Sequence, residues 1–441
     1  MITFDVSIEE FAKVLTGEGL DVSESSGVFV RDLRGRLIFV ARKKLLAETI
    51  EKVATAANLT LRPYVSPLGP VADQSAPGTS GVFSSTEAVR VKVRVPGRDQ
   101  PIDVALLDRR AMGADWLYTP LNMATTPPRL VFSSLKGGVG RSTALSVLAA
   151  ELAERGRSVL VLDLDLEAPG LGSMLIESTA TPKFGALDLF VEDALQELDN
   201  TFLIDCIGSS WLGGGRGRVD VVPSYGAVSL NNPRDVTAKI ARAYLEGSKD
   251  KEITFLKRVQ SLVQRLSEVR RYDAVLVDTR AGLHETTPTA ILGLGADVLL
   301  FGVDQPQTVA GYRILLSNVA QLPVADSEHD WRYRLRMVQA KADSSEVIND
   351  FRSHMFDVFD DVFYSGDIVE AGDVFGGGFR FSIDDPDAPH FPVPIFEDEG
   401  FRLFDPVQHR AQLTKPLYES SFGEFIRFCV QRLQLDEDAG S

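Results

Sequence analysis

The stretch Val131–Thr143, VFSSLKGGVGRST, holds the residue types best suited to chemistry in this chain. Gly137, Gly138 and Gly140 fall within four positions, and Arg141, Ser142 and Thr143 follow at once. Glycines let a backbone curl so that several N–H groups face one anion, and a helix starting there adds its positive end. The chemistry this predicts is phosphate binding. A nucleoside triphosphate needs N–H donors, a cation and oxygen ligands for Mg²⁺. The run Lys136, Gly137, Gly138, Val139, Gly140, Arg141, Ser142 and Thr143 is the expected nucleotide-binding segment. The backbone N–H groups of Gly138, Gly140 and Arg141 form its cradle, and Arg141 stands where a phosphate-contacting lysine is usual. Ser142 sits where a hydroxyl ligates Mg²⁺. The ordinary loop reads GxxxxGK[ST]; here the first glycine is out of register, and a lysine occurs earlier, at Lys136.

Magnesium also calls for a carboxylate at the end of a neighbouring strand. The apolar run Ala274–Val277 stops at Asp278, and Ser158–Leu164 contains Asp163, with Asp165 two residues on. Asp163 and Asp278 are the expected metal ligands, directly or through water, and Asp165 is placed to orient an attacking water. A glycine turn or a strand-end aspartate alone is commonplace; loop, DxD and strand-end Asp in this order are not.

The elements around these residues predict an α/β fold, a mostly parallel doubly wound sheet with helices on both faces. Strands are expected at Ser158–Leu164, Val219–Pro223, Ala274–Val277 and Val298–Val303, with outer strands at Arg334–Gln339 and Val393–Ile395. Helices are expected at 144–156, Pro182–Asp193, Glu252–Val269 and Phe422–Leu433. The pattern starts after Pro127-Pro128, so residues 128–435 form one expected domain and 436–441 an acidic tail. Residues 1–125 predict a smaller α+β domain: a helix from the capping box at Ser7 to Leu15, a hairpin over Gly27–Ala41, a helix over Lys43–Ala57, and strands at Val89–Val95 and Ile102–Leu107. Between them, Pro63–Ser85 reads as a linker or mobile loop. In DRRAMGADWLYTP, Arg109, Arg110 and Trp116 read more simply as paired arginines and a packed indole than as a phosphate or base site.

Composition narrows the function classes. The chain has 441 residues, 44% of them hydrophobic, and a formal charge of −16. That charge weighs against a dedicated nucleic-acid coat, and the basic set Arg34, Arg36, Arg42, Lys43 and Lys44 reads as a solvated helix face. Cys206 and Cys429 are the only cysteines, with no CxxC, which fits a reducing cytoplasm. No signal peptide or membrane span is predicted, so a cytoplasmic location is expected. The glycine run in Phe375–Ser382 lacks a following hydroxyl-bearing helix and predicts a loop.

KGGVGRST resembles the deviant Walker A motif, KGGxGK[ST][ST], of the ParA/MinD ATPases in the SIMIBI class of P-loop NTPases. VLVLDLDLEAPGLG resembles the family's second motif, YDAVLVDTRAGL its Walker B strand, and GVDQPQTVAGYRILL a later strand and helix. The resemblance covers about residues 128–435, some seven-tenths of the chain, and is closest to a subgroup described as KGGVGR-motif variants. It implies an ATP- and Mg²⁺-dependent homodimer with ATP at the interface, Lys136 reaching the partner's phosphates and Asp165 supporting water attack. Lys136, Asp165 and Arg141 are then the catalytic set. The family's adenine-contacting asparagine has no clear counterpart; Gln339 is the candidate.

The leading expectation is an ATP-hydrolysing dimer switch that engages a protein partner through the N-terminal domain. The alternative is an ATP-bound scaffold or sensor with little hydrolysis, such as a regulatory subunit of a defence-type system, because arginine is no conservative substitute for the lysine. Nucleic acid is a possible but disfavoured partner. Membrane targeting is not expected, since the last helix leads into acids.

Overall fold

The structure, a computed structural model, describes residues 2–79, 81–85, 88–109, 114–121, 125–214, 216–244, 254–284, 286–324, 330–365 and 378–435. The tail 436–441, Arg110, Glu252 and the start of the Phe375–Ser382 run lie outside them. The chain divides into two compact units, Met1–Leu117 and Tyr118–Ser441.

In the first unit, strands β1 (Gly27–Arg31), β2 (Leu37–Ala41), β3 (Val71–Asp73), β4 (Val89–Val93) and β5 (Ile102–Asp108) form one sheet in the order β3-β2-β1-β5-β4. Helices α1 (Phe4–Gly17) and α2 (Ala47–Thr60) bury Phe11, Leu15, Val53 and Ala57 with Phe29 and Phe39 of one sheet face. On the opposite face Val28, Val30, Val40 and Leu107 cluster with Val82 and Phe83. The Pro/Gly/Ser-rich stretch is therefore more than a linker: it supplies strand β3 and an apolar cover. Its punctuation hid two short apolar pairs, Val71-Ala72 and Val82-Phe83.

Two helix starts also differ from expectation. Helix α1 begins at Phe4, and the Ser7 hydroxyl donates to the Phe4 carbonyl (2.7 Å) instead of capping. Helix α2 begins at Ala47 because Asp73 accepts the Leu45 N–H (3.1 Å), which holds the preceding residues out of helical conformation. Consequently Arg42, Lys43 and Lys44 lie before the helix and Arg34 and Arg36 in the hairpin; they form no helix face. Trp116 is buried, as a packed indole should be.

The second unit is built on strands β6 (Arg129–Ser134), β7 (Ser158–Asp163), β8 (Gly208–Ser209), β9 (Arg218–Val222), β10 (Ala274–Asp278), β11 (Asp297–Gly302), β12 (Leu335–Ala342) and β13 (Val393–Phe396). Their order is β13-β12-β11-β6-β10-β7-β9-β8, parallel throughout except for the β8 edge. This is the mixed α/β architecture expected. Helix α3 (Arg141–Glu154) and the C-terminal helix Lys415–Arg432 cover the face carrying Leu130, Phe132, Leu276 and Phe301. The alternate residues Val131, Val275 and Val277 are equally buried. Burial on both faces explains why these strands read as unbroken apolar runs. The C-terminal helix starts seven residues before the predicted Phe422, with Pro416 in its first turn, where a missing N–H costs nothing.

A polar tie crosses this apolar layer between α3 and the C-terminal helix. The Glu151 carboxylate of α3 is buried and accepts from the Tyr418 hydroxyl (2.6 Å) and Arg155 Nε (2.8 Å). The contacts keep its carboxyl below the usual range, against the opposing pull of burial, and they lock the helix that follows the glycine loop to the C-terminal helix.

Candidate nucleotide site

Strand β6 lies between β10 and β11, so the glycine loop leaves the middle of the sheet at its C-terminal edge. Ligands in open parallel sheets bind at this edge. Gly138 and Gly140 have φ of +76° and +80°, which only glycine adopts without strain. Gly140 is the N-cap of α3, so the free N–H groups of that helix face the loop. Val139 points inward and joins the hydrophobic core, anchoring the loop from below. Gly137 and Lys136 are exposed, whereas Arg141 is buried.

Register brings the predicted carboxylates together. Asp278 ends β10 directly opposite Asp163 at the end of β7. The Asp278 carboxylate is held by two contacts. Arg141 Nε donates to its Oδ1 (2.5 Å), and the Ser142 hydroxyl donates to its Oδ2. The same guanidinium reaches Asp165 Oδ2 through Nη2 (3.4 Å) and Ser134 Oγ through Nη1 (2.8 Å). Burial pushes the Asp278 carboxyl up, while Arg141 and Ser142 pull it down.

Asp163 is completely buried, and its carboxylate is engaged by the backbone. Oδ1 accepts the Asp165 N–H (3.1 Å); Oδ2 accepts those of Gly170 (3.3 Å) and Leu171 (3.2 Å). Desolvation, then the charge of Asp278, pushes its pKa up to about 7. Asp165 accepts the Ala168 N–H (3.1 Å) through its other oxygen. Ser224 and Tyr225, which no motif marked, fix this segment from beside: Ser224 Oγ donates to the carbonyls of Asp163 (2.8 Å) and Asp165 (3.1 Å), and the Tyr225 hydroxyl to Leu166 (2.7 Å). Arg280 donates to Glu167, with His284 Nε2 3.5 Å from the same carboxylate, so the turn after β10 is tied to the turn after β7.

Lys136 Nζ donates to Gln305 Oε1 (3.0 Å), a side chain at the N-cap of helix Pro306–Val319. A pocket of about 280 Å³ opens beside the loop, lined by Gly138, Gly140 and Thr143 on one side and Lys341, Phe396 and Glu397 on the other. Gln339 does not line it. Its Nε2 donates to the Val347 carbonyl (3.0 Å) and its buried Oε1 has no partner, while Ala340 and Lys341, the latter at φ +56°, reach the pocket wall. A cavity of about 440 Å³ lies beyond Asp165, between Gly170, Ser173, Ser224 and Tyr225. Neither lysine nor arginine lines it, whereas the smaller pocket carries Lys341 and Arg402 beside Glu397, Asp398 and Glu399.

The donor set suits Mg²⁺: a hydroxyl and a carboxylate adjoin at the helix start, leaving positions for phosphate and water. Among the described residues no group of three or more His, Cys, Asp or Glu side chains could hold a metal by itself. Nor is any helix among them long and apolar enough to cross a membrane.

Residues 128–189 match the family described as ParA: NUBPL iron-transfer P-loop NTPase. An iron-sulfur cluster carrier protein of Methanocaldococcus jannaschii is 34% identical over 86 residues, 19% of this chain and 30% of the relative. The chain thus spans under a third of the length of that relative. Among solved structures, a ParA family ATPase of Chlorobium tepidum is 17% identical (67% of this chain, 98% of that chain, TM-score 0.40). The Pyrococcus furiosus cell division ATPase MinD is 20% identical (48% and 71%, TM-score 0.32). The glycine loop, Asp163 and Asp165 all lie inside the matched residues 128–189, which are thus similar to a ParA-type P-loop NTPase, while Asp278 joins them only through the pairing of β10 with β7.

Proposed function

We propose that this protein is an ATP-binding, ATP-hydrolysing switch that dimerises around its nucleotide. The observation that carries the reading is the placement of Ser142 and Asp278 in contact at the start of α3, under a loop whose two glycines have positive φ. In this reading the N–H groups of the loop and α3 bind the phosphates, and the pocket beside Lys341 and Phe396 takes the nucleoside. Ser142 and Asp278 would hold Mg²⁺, which offsets phosphate charge as the terminal bond breaks. Asp165 orients the water. Asp163 acts through Asp165, fixing the backbone of the DxD segment. Lys136 is exposed on the loop, and in this reading it leaves Gln305 to reach a second protomer's phosphate, so that nucleotide binding stabilises the dimer by linkage. The first unit is the part proposed to engage a protein partner, in the cytoplasm.

One observation favours a second reading, an ATP-bound scaffold with little turnover: the Arg141 guanidinium reaches Asp165 as well as Asp278, restraining the residue that would orient water. Iron transfer stays with the relative. Cys206 and Cys429 are both buried, and burial pushes both thiols up, away from the thiolate that ligates iron.

Phosphate release separates the two readings. The switch predicts Mg²⁺-dependent turnover that Asp165→Ala lowers by about 10² or more while ATP still binds. Binding with no turnover in either protein would establish the scaffold.

A further inference from the structure

The contacts of Arg141 go beyond a substitution for lysine. A lysine ammonium is a single point; the guanidinium here spans Asp278, Asp165 and Ser134 at once, through three different nitrogens. Asp278 has both oxygens engaged, one by Arg141 and one by the Ser142 hydroxyl. All of these groups except Ser142 are buried, so their mutual attraction is little screened.

A divalent cation approaching Asp278 alone meets a fixed positive charge already in contact with its ligand. It also meets a hydroxyl whose proton points at that ligand. A phosphate group meets the opposite situation: five guanidinium N–H donors and a ring of backbone N–H groups, with more charge to offer than one carboxylate. The cost is the separation of Arg141 from its carboxylates, which the phosphate replaces in kind.

Building on the nucleotide-site reading above, we propose that Arg141 is a resident counter-cation for Asp278 and Asp165, which nucleotide phosphate and not a divalent cation draws off. Nucleotide then binds this site without divalent cation. The metal ligands Asp278 and Ser142 are released by the phosphate, which makes metal entry the second event.

Calorimetric titration of the full chain with ADP, in EDTA and in Mg²⁺, tests this. The expected result is an affinity in EDTA within about tenfold of that in Mg²⁺, and no heat with Mg²⁺ alone. Binding only in the presence of Mg²⁺ overturns the proposal and leaves the nucleotide site standing; no binding in either condition overturns the nucleotide site itself. Asp278→Asn and Asp165→Asn, checked for folding by circular dichroism, are expected to tighten ADP binding in EDTA. The gain is about tenfold for the first and less for the second, whose contact is longer. Relief of carboxylate–phosphate repulsion alone would produce the same gain, so the Asp165→Asn comparison is repeated with Arg141→Lys. Lysine cannot span both carboxylates; a gain that vanishes in that background supports the counter-cation, and a gain that persists overturns it.

Discussion

The two sheets of this protein treat charge in opposite ways. In the first unit, edge strand β4 alternates Val89, Val91 and Val93 with Arg90 and Lys92, and its charges stay near solvent. In the second unit, β7 and β10 are apolar along their length and carry aspartates only at their C-terminal ends, both completely or almost completely buried. Met1–Leu117 holds as many basic as acidic residues, so the whole −16 belongs to the rest of the chain. A charge on an edge strand guards against unwanted pairing. A charge buried at the end of a central strand is costly unless partnered, and here the partners are an arginine, a serine and backbone N–H groups. The difference teaches where chemistry can be built: at buried strand ends, where polar groups are held by their neighbours and cannot relax into water.

If the two sheets are so different, damage should separate them. The largest effect is expected from Phe132→Ala, on the central strand β6, where the ring meets Phe301 (5.8 Å between centroids) and Phe425 (6.2 Å). A loss of about 3–5 kcal/mol is the usual cost of such a cavity, and ADP binding should fall with it. Phe29→Ala, between Phe11 and Phe39 in the first unit, is expected to cost as much locally while leaving ADP affinity within about twofold. Hydrogen exchange resolved by peptide reads both units in one experiment. Equal loss of protection in the two units after either change would erase the distinction.

A second, intermediate effect concerns pH. Asp163 has its pKa raised to about 7 by burial and by Asp278. The folded state therefore holds a proton that the unfolded state releases near 4. The stabilising contribution is full below about 4 and is lost as the pH rises through about 7. Thermal melts should show the second unit losing stability over that window, and Asp163→Asn should flatten the slope. An unchanged slope would mean that another group governs it.

The smallest effect is expected at the exposed edge. Arg90 pairs with Glu24 at 3.1 Å, both side chains well exposed, so Arg90→Ala should change stability by less than about 1 kcal/mol. A change of the size seen for Phe132→Ala would mean that β4 is not a solvated edge.

Much of the site could be read from residue order. The glycines, Ser142, Asp163, Asp165 and Asp278 stand where a strand–loop–helix reading places them, because strand ends and helix starts leave strong local signals. The same reading found the outer strands β12 and β13. What it missed depends on contacts between distant segments. Nothing local reveals that the Asp163 carboxylate binds Gly170 and Leu171, that Arg141 bridges two carboxylates, or that Ser224 and Tyr225 hold the DxD segment. Gln339 was one residue from the pocket wall: Ala340 falls on the opposite face of the strand, and Lys341 leaves the pleat with φ of +56°. Val139 was read within the nucleotide-binding segment, and nothing local reveals that its side chain belongs to the core below. In the first unit, Pro and Gly dominated the local signal and concealed β3.

The central claim, that nucleotide at this site joins two protomers, is tested most directly by light scattering coupled to gel filtration of the Asp165→Ala protein with ATP and with ADP. The account predicts a dimer with ATP and a monomer with ADP, because Lys136 needs a terminal phosphate to cross to. The same mass with both nucleotides, monomer or dimer, would contradict it.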